Sequence, residues 1–320
     1  MLGRVRTTIL GVSIATALLL AGCGGVQKVQ PSSAPVQPIK KDSANAKVAL
    51  TIGAKNFTEQ RVLGQLYAQA LQAAGYKVST RLNYADETAA FNALKAGQIS
   101  GYPEYTGTAL ESLLHVDAKD VPTDQPAAYA EAKSRMAKLG IEAFAPTPFS
   151  SSNEVATTQA KHKDLEVDSL DELSSQAGHL DLYGPPECEF RQDCLVGLED
   201  RYGLQFQNFV PSDPDNRFKV LLDGAADLSI VFSTDPQITQ DKLFVFKDPD
   251  GIFLPGNATF LTKASTVATA GPDYRRTIEA VGDRLTLPVI RQLNADVDLD
   301  GMTPAAAAHK YLVTTGYVKN

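Results

Sequence analysis

The 320-residue sequence contains no tryptophan, so any aromatic binding surface must be built from its 11 tyrosines and 13 phenylalanines. It has only four histidines, His115, His162, His179 and His309, scattered along the chain and expected on the solvated surface. It has only three cysteines, Cys23, Cys188 and Cys194, and two close cysteines without nearby histidine partners are a weak metal signal. No metal site and no cofactor are expected. The chain carries no G-x-S-x-G, P-loop, G-x-G-x-x-G or H-E-x-x-H signature. The acid pair Glu187 and Glu189 has no supporting site context for glycoside chemistry, so no catalytic residue is assigned and an enzyme is not expected. Beyond the first 22 residues, no apolar run is long enough to span a bilayer.

The N-terminus has signal-peptide form: Arg4 and Arg6, then an apolar run from Ile9 to Leu20. It ends in Leu20-Ala21-Gly22-Cys23, similar to a bacterial lipobox, in which small residues fit the signal peptidase and the Cys23 thiol accepts the acyl chain. Residues 1–22 are read as the signal peptide. Residues 23–46 are read as a lipidated flexible tether, because Gln, Pro, Ser and Lys dominate there and large apolar residues are nearly absent. Losing Arg4 and Arg6 takes the formal charge from −7 to −9. Such an acidic exported body argues against nucleic-acid binding. In an oxidising compartment Cys188 and Cys194, close together after Gly184-Pro185-Pro186, would form a short-loop disulfide.

From Val48 the pattern alternates. Val48–Gly53 reads as a strand, and Asn56 with Glu59 resembles a helix capping box. Val62, Leu63, Leu66, Tyr67, Ala70 and Leu71 keep helical spacing up to Gly75. Lys77–Leu82 is a second strand, and Asp86 can cap a helix burying Phe91 and Leu94. Ile99–Tyr102 is a third strand, which Pro103 should end because it has no N–H to donate. A parallel sheet with helices on its faces follows from this order. Ala127–Leu139 is a further helix, and Phe144–Ser152 reads as a crossover. The second α/β unit comprises strand Leu180–Tyr183, helix Leu195–Tyr202 and strands Phe206–Val210 and Leu228–Phe232. The chain returns through Leu243–Phe246 and Phe253–Leu261, and its final helices, near Tyr274–Arg284 and Pro304–Tyr311, are expected to pack on the first unit. Leu94-Lys95-Ala96-Gly97 before the third strand is echoed by Leu221-Leu222-Asp223-Gly224 before Leu228–Phe232.

Four stretches carry a resemblance: Tyr102-Pro103-Glu104-Tyr105-Thr106-Gly107-Thr108, Gly53-Ala54-Lys55-Asn56-Phe57-Thr58-Glu59-Gln60, Glu189-Phe190-Arg191-Gln192-Asp193 and Phe232-Ser233-Thr234-Asp235. They are similar, in order and spacing, to motifs of the osmoprotectant-binding proteins of ABC importers, which take up glycine betaine, choline and related solutes. The resemblance runs from about Val48 to the C-terminus. It implies an α/β, bilobal, type II periplasmic-binding-protein-like fold whose lobes are joined by hinge strands. The first lobe would comprise residues 47–148 and 254–320, the second residues 149–253. It also implies an extracytoplasmic, monomeric, lipid-anchored binder of a small solute. Its lobes would close on the solute by hinge motion, and its partners would be a permease and an ATPase on separate chains. The alternative from the same residues is a tethered sensor presenting a different carboxylated or hydroxylated solute to a receptor.

Members of that family hold a quaternary ammonium in four tyrosines by cation–π attraction and the carboxylate by a lysine, a threonine and an arginine. Carried over, Lys55, Thr108 and Arg191 match the carboxylate side, Arg191 offering a planar fork. Tyr105 matches the first tyrosine, Asn153 falls at the second, Phe232 at the third and Gly256 at the fourth. Asn153 and Gly256 offer no ring, and Gly256 is expected to leave space where one would stand. The implied ligand has an anionic end, with weak binding of glycine betaine itself.

Overall fold

The computed structural model describes residues 30, 32–211 and 213–319. Cys23 and the signal peptide lie outside them. Two five-stranded sheets form two lobes. The first contains β1 (Ala49–Lys55), β2 (Lys77–Tyr84), β3 (Gly101–Tyr105), β4 (Ile141–Ala143) and, from the far end of the chain, β10 (Ala258–Lys263). The second contains β5 (Asn153–Thr157), β6 (Asp181–Gly184), β7 (Asn208–Pro211), β8 (Leu228–Phe232) and β9 (Phe244–Val245). Their orders, β2-β1-β3-β10-β4 and β7-β6-β8-β5-β9, share one pattern. In each, three parallel strands are joined by an antiparallel partner, β10 or β5. The echo noted in the sequence therefore marks equivalent places: Gly97 and Gly224, both at positive φ, feed the central strands β3 and β8.

Helix α1 (Thr58–Ala73) buries Val62, Leu63, Leu66, Tyr67, Ala70 and Leu71 against β1 and the C-terminal helices α10 (Pro272–Gly282), α11 (Leu287–Asp298) and α12 (Pro304–Thr314). Those helices thus pack on the first lobe as expected. Helices α2 (Glu87–Lys95), α3 (Thr106–Thr108) and α4 (Gln125–Lys138) complete its other face, and Asp86 caps α2 by accepting from Ala89 N. In the second lobe, α5 (Gln159–Leu165) and α6 (Leu195–Tyr202) cover a core around Val155, Leu182, Leu198 and Ile230. Helix α7 (Arg217–Leu222) covers the opposite face through Phe218 and Leu221, α8 (Gln237–Gln240) precedes β9, and α9 (Ala264–Ala270) follows β10.

Several expectations are corrected. Pro103 lies inside β3, paired with Phe260. The bond from Thr106 N to Asn257 O sets the alternation along that pair, so position 103 points its nitrogen away from β10. On that side β1 pairs with β3 only at Ile52 and Gly101, so the missing donor breaks no ladder bond. The capping box at Asn56 does not form; Phe57 precedes the helix with no side-chain cap, and Glu59 turns inward. His162 is half-buried, stacked on Phe244 at 3.4 Å between ring centroids. The later part of the expected tether lies against the first lobe: Val36 and Ile39 pack on its core, and Ile39 N donates to Tyr317 O. Asn45 is buried, its amide donating to Ala74 O.

Two segments connect the lobes, around Phe149–Ser152 and Leu254–Asn257. Ser151 N donates to Gly256 O at 2.9 Å and Gly256 N to Ser150 Oγ at 2.9 Å. The Asn257 amide is buried and donates to the carbonyls of Thr147 and Phe149. The crossings are thereby fastened to each other as a two-strand hinge.

Candidate functional site

The carboxyl ends of β1, β3, β6 and β8 converge on the cleft between the lobes, the place where α/β sheets bind ligands. All seven residues singled out from the sequence line it: Lys55, Tyr105, Thr108, Asn153, Arg191, Phe232 and Gly256.

Lys55 ends β1, and its ammonium lies 2.6 Å from Glu104 Oε1, with both residues buried. The same Glu104 oxygen accepts from Tyr105 N. The Lys55 ammonium also stands 5.0 Å from the Tyr105 ring centroid and 5.9 Å from that of Phe57, within cation–π range. Tyr105 OH donates to Glu59 Oε1 at 2.6 Å, and Asn294 Nδ2 donates to Glu59 Oε2. Burial raises the Glu59 carboxyl above its ordinary range against these bonds. Burial, then the nearby Glu59, pushes the Tyr105 phenol well up, so this hydroxyl is a fixed donor and its ring is held rigidly.

The aromatic wall is a row of three rings. Phe57 lies 6.4 Å from Tyr105, nearly parallel to it, and 5.3 Å from Phe232. Phe57 sits inside the Lys55–Gln60 motif, and that was the available signal for it. The Arg217 guanidinium covers one side of Phe232 at 4.8 Å. Asn153 gives its amide to Asp193 O. Gly256 leaves no space: a β carbon there would lie 1.5 Å from Ser151 O, so the position is filled by the other hinge crossing.

The expected carboxylate clamp is filled from within. Arg191 Nε and Nη2 reach Asp193 Oδ1 and Oδ2 at 2.6 and 2.5 Å, a bidentate pair. Nη1 faces Glu87 at 3.5 Å, Nη2 faces Thr108 Oγ1 at 3.4 Å, and Glu111 stands 3.8 Å from Nε. Burial works against ionisation of Glu87, yet Arg191 and then Lys55 hold it below the usual carboxylate range. Glu111 is raised by burial and by Asp193. The turn presenting Arg191 is closed by a Cys188–Cys194 disulfide with Cα atoms 5.1 Å apart. It also reaches across the cleft: Gln192 N donates to Glu111, and Ala118 N donates to Gln192 Oε1. Glu87, Glu187 and Asp193 join the lining as well. The sequence offers, as the alternative to a ligand clamp, an ion pair of Arg191 with Asp193 or Glu187, and the pair with Asp193 is the one that forms.

Over residues 48–314 the chain matches the family described as the substrate-binding domain of ABC-type glycine betaine transport systems (OpuAC). The chain belongs to this family. OpuAC relatives include a glycine-betaine-binding protein of Pseudomonas aeruginosa, 29% identical over 274 residues that span 82% of this chain and 86% of that protein. Another is the glycine betaine-binding protein YehZ of Escherichia coli, 24% identical over 84% of this chain and 91% of the relative. Among solved structures, one described as a glycine betaine/carnitine/choline ABC transporter superposes with a TM-score of 0.67 at 21% identity, covering 84% of this chain and 99% of that one. Apo YehZ superposes at 0.61 and 21% identity, covering 85% and 99%. These matches establish the bilobal type II binding-protein fold. The protein is a substrate-binding protein of a glycine betaine-type ABC transporter.

Proposed function

We propose that this OpuAC member is an extracytoplasmic lipoprotein. Anchored through Cys23, it captures a small osmoprotectant of the quaternary-amine class and delivers it to a separate permease and ATPase. In this reading the protein acts as a monomer. Residues 47–148 with 254–320 form one moving body, residues 149–253 the other, and the hinge at Ser151 and Gly256 lets them close. The single observation carrying the proposal is the convergence of Lys55, Tyr105, Thr108, Asn153, Arg191, Phe232 and Gly256 on one interlobe cleft. The cage is altered: Phe57, Tyr105 and Phe232 supply ring faces, while Asn153 and Gly256 supply none. Each ring lost weakens a desolvated cation by about 0.5–2 kcal/mol.

The test is calorimetry of purified mature protein against glycine betaine, choline, carnitine and ectoine. At least one quaternary amine should bind at micromolar concentration, and Phe232→Ala should weaken it by about twofold to thirtyfold. Failure of the whole panel with folded protein would count against the proposal. For the anchor, wild type should partition with membranes and Cys23→Ala should be released; identical partitioning of the two refutes lipidation.

A further inference from the structure

The ionic groups around the cleft do not cancel, and the imbalance has a definite location. Lys55 and Arg191 are the lining cations; Glu87, Glu187 and Asp193 are the lining anions. Lys55 is matched by Glu104 in the wall, and the Arg191 fork is matched by Asp193 with its third nitrogen turned to Glu87. Glu187 remains. It opens the short turn Pro186–Phe190 after β6 and is half-buried. Among the described residues its carboxylate has no side-chain hydrogen bond or ion pair; the donor it does have is its own backbone N–H. Burial, with the like charge of Glu87 adding to it, raises its carboxyl above the ordinary range, against its own backbone N–H and the more distant charges of Arg191 and Lys55, neither of which is in contact with it.

We infer that Glu187 is the specificity-determining residue of this cleft, and that it selects a net-cationic alkylammonium bearing a hydroxyl or amine donor over a zwitterion. The inference rests on the cleft being the solute site. A solute carboxylate entering here must displace Asp193 from Arg191 and then lie beside Glu87 and Glu187, a like-charge arrangement. A solute ammonium can use the parts of the Phe57, Tyr105 and Phe232 rings that Lys55 and Arg217 leave uncovered, and a neighbouring O–H or N–H finds an acceptor in Glu187 that no other side chain satisfies. A hydrogen bond to a charged acceptor of this kind is worth about tenfold to a hundredfold in affinity.

Choline and glycine betaine share the trimethylammonium group and differ in carrying a hydroxyl or a carboxylate, so they form the discriminating pair. Calorimetry of wild type, Glu187→Gln and Glu187→Ala should show choline binding at least tenfold tighter than glycine betaine in wild type. Glu187→Gln should weaken choline about tenfold while leaving glycine betaine equal or tighter, so that the ratio collapses. Tighter binding of glycine betaine to wild type overturns the inference. So does an unchanged choline-to-betaine ratio in both variants, with folding checked by melting temperature. A quaternary amine binding in the cleft without dependence on Glu187 sinks this inference alone. No binding by either solute or by the wider panel removes the solute-site reading, and this inference with it.

Discussion

Gly256 and Ser151 touch with no room for a side chain between them. A β carbon at 256 would fall 1.5 Å from the Ser151 carbonyl oxygen, while the two backbones exchange the bond Ser151 N to Gly256 O. The glycine is therefore required for the close approach of the two hinge crossings. It is not a vacated ring position.

Gly256→Ala should accordingly act on the fold before it acts on the ligand. Relief of the clash needs movement of backbone, and overpacking of this kind costs about 1–3 kcal/mol. The expected outcome is a lower melting temperature without ligand, together with a changed distance between spin labels placed on the two lobes. An alanine variant with wild-type stability and unchanged lobe separation would show that the crossings are not so tightly fastened.

Arg191 makes a second separable case. It stands among Asp193, Glu87 and Glu111, all within 4.0 Å of its guanidinium. Removing this part-buried cation strands the carboxylates of Glu87 and Asp193, at a cost approaching that of a fully buried pair, about 3–5 kcal/mol. Arg191→Ala should therefore lower stability markedly in ligand-free protein, as read by urea unfolding. Arg191→Lys should recover part of the loss, because it restores the charge without the bidentate fork. Equal unfolding midpoints for wild type and Arg191→Ala would show that the network is not a stabilising one.

The Cys188–Cys194 bridge closes a six-residue separation around Arg191, Gln192 and Asp193. On the chain-entropy account such a short loop contributes about 2 kcal/mol. The paired variant Cys188→Ser/Cys194→Ser should lose stability of that order. It should also show faster amide exchange at Arg191–Asp193, since the turn's bonds across the cleft to Glu111 and Ala118 lose their brace. Retained protection of that turn in the reduced or substituted protein would refute the bracing role.

What was legible in the sequence was mostly local. Strand β8, helix α6 and the Asp86 cap follow from short-range pattern, and motif spacing located the cleft residues because strand ends fix them independently of neighbours. The misreadings are all tertiary. Pro103 is tolerated because β1 leaves β3 after Gly101, a matter of sheet divergence that no local pattern records. Glu59 forgoes a cap because Tyr105 and Asn294, distant in sequence, offer it partners. Arg191 offered a fork on paper, but Asp193 two residues later takes it once the disulfide closes the turn. Gly256 looked like a hole because the sequence does not show that Ser151 lies against it.

Glu154, on β5 beside the hinge, makes the remaining prediction, and it concerns pH. Burial raises its carboxyl from 4.5 to about 7; Arg291 opposes the shift and Asp235 adds to it. The folded chain therefore holds this proton over a range where the unfolded chain has released it. The stabilisation is complete below about pH 4.5, is lost progressively as the pH rises, and is gone above about pH 7. At pH 8 the folded protein carries a partly buried, ionised carboxylate, at a cost of roughly 1–3 kcal/mol after allowance for its partial exposure. Glu154→Gln removes the ionisation while keeping the shape. Urea unfolding at pH 4 and pH 8 should show the variant close to wild type at the lower pH and more stable than wild type at the higher. A stability difference that is the same at both values would mean that Glu154 titrates normally in the folded protein. A variant less stable at pH 8 would mean that Arg291 stabilises the charge more than burial penalises it.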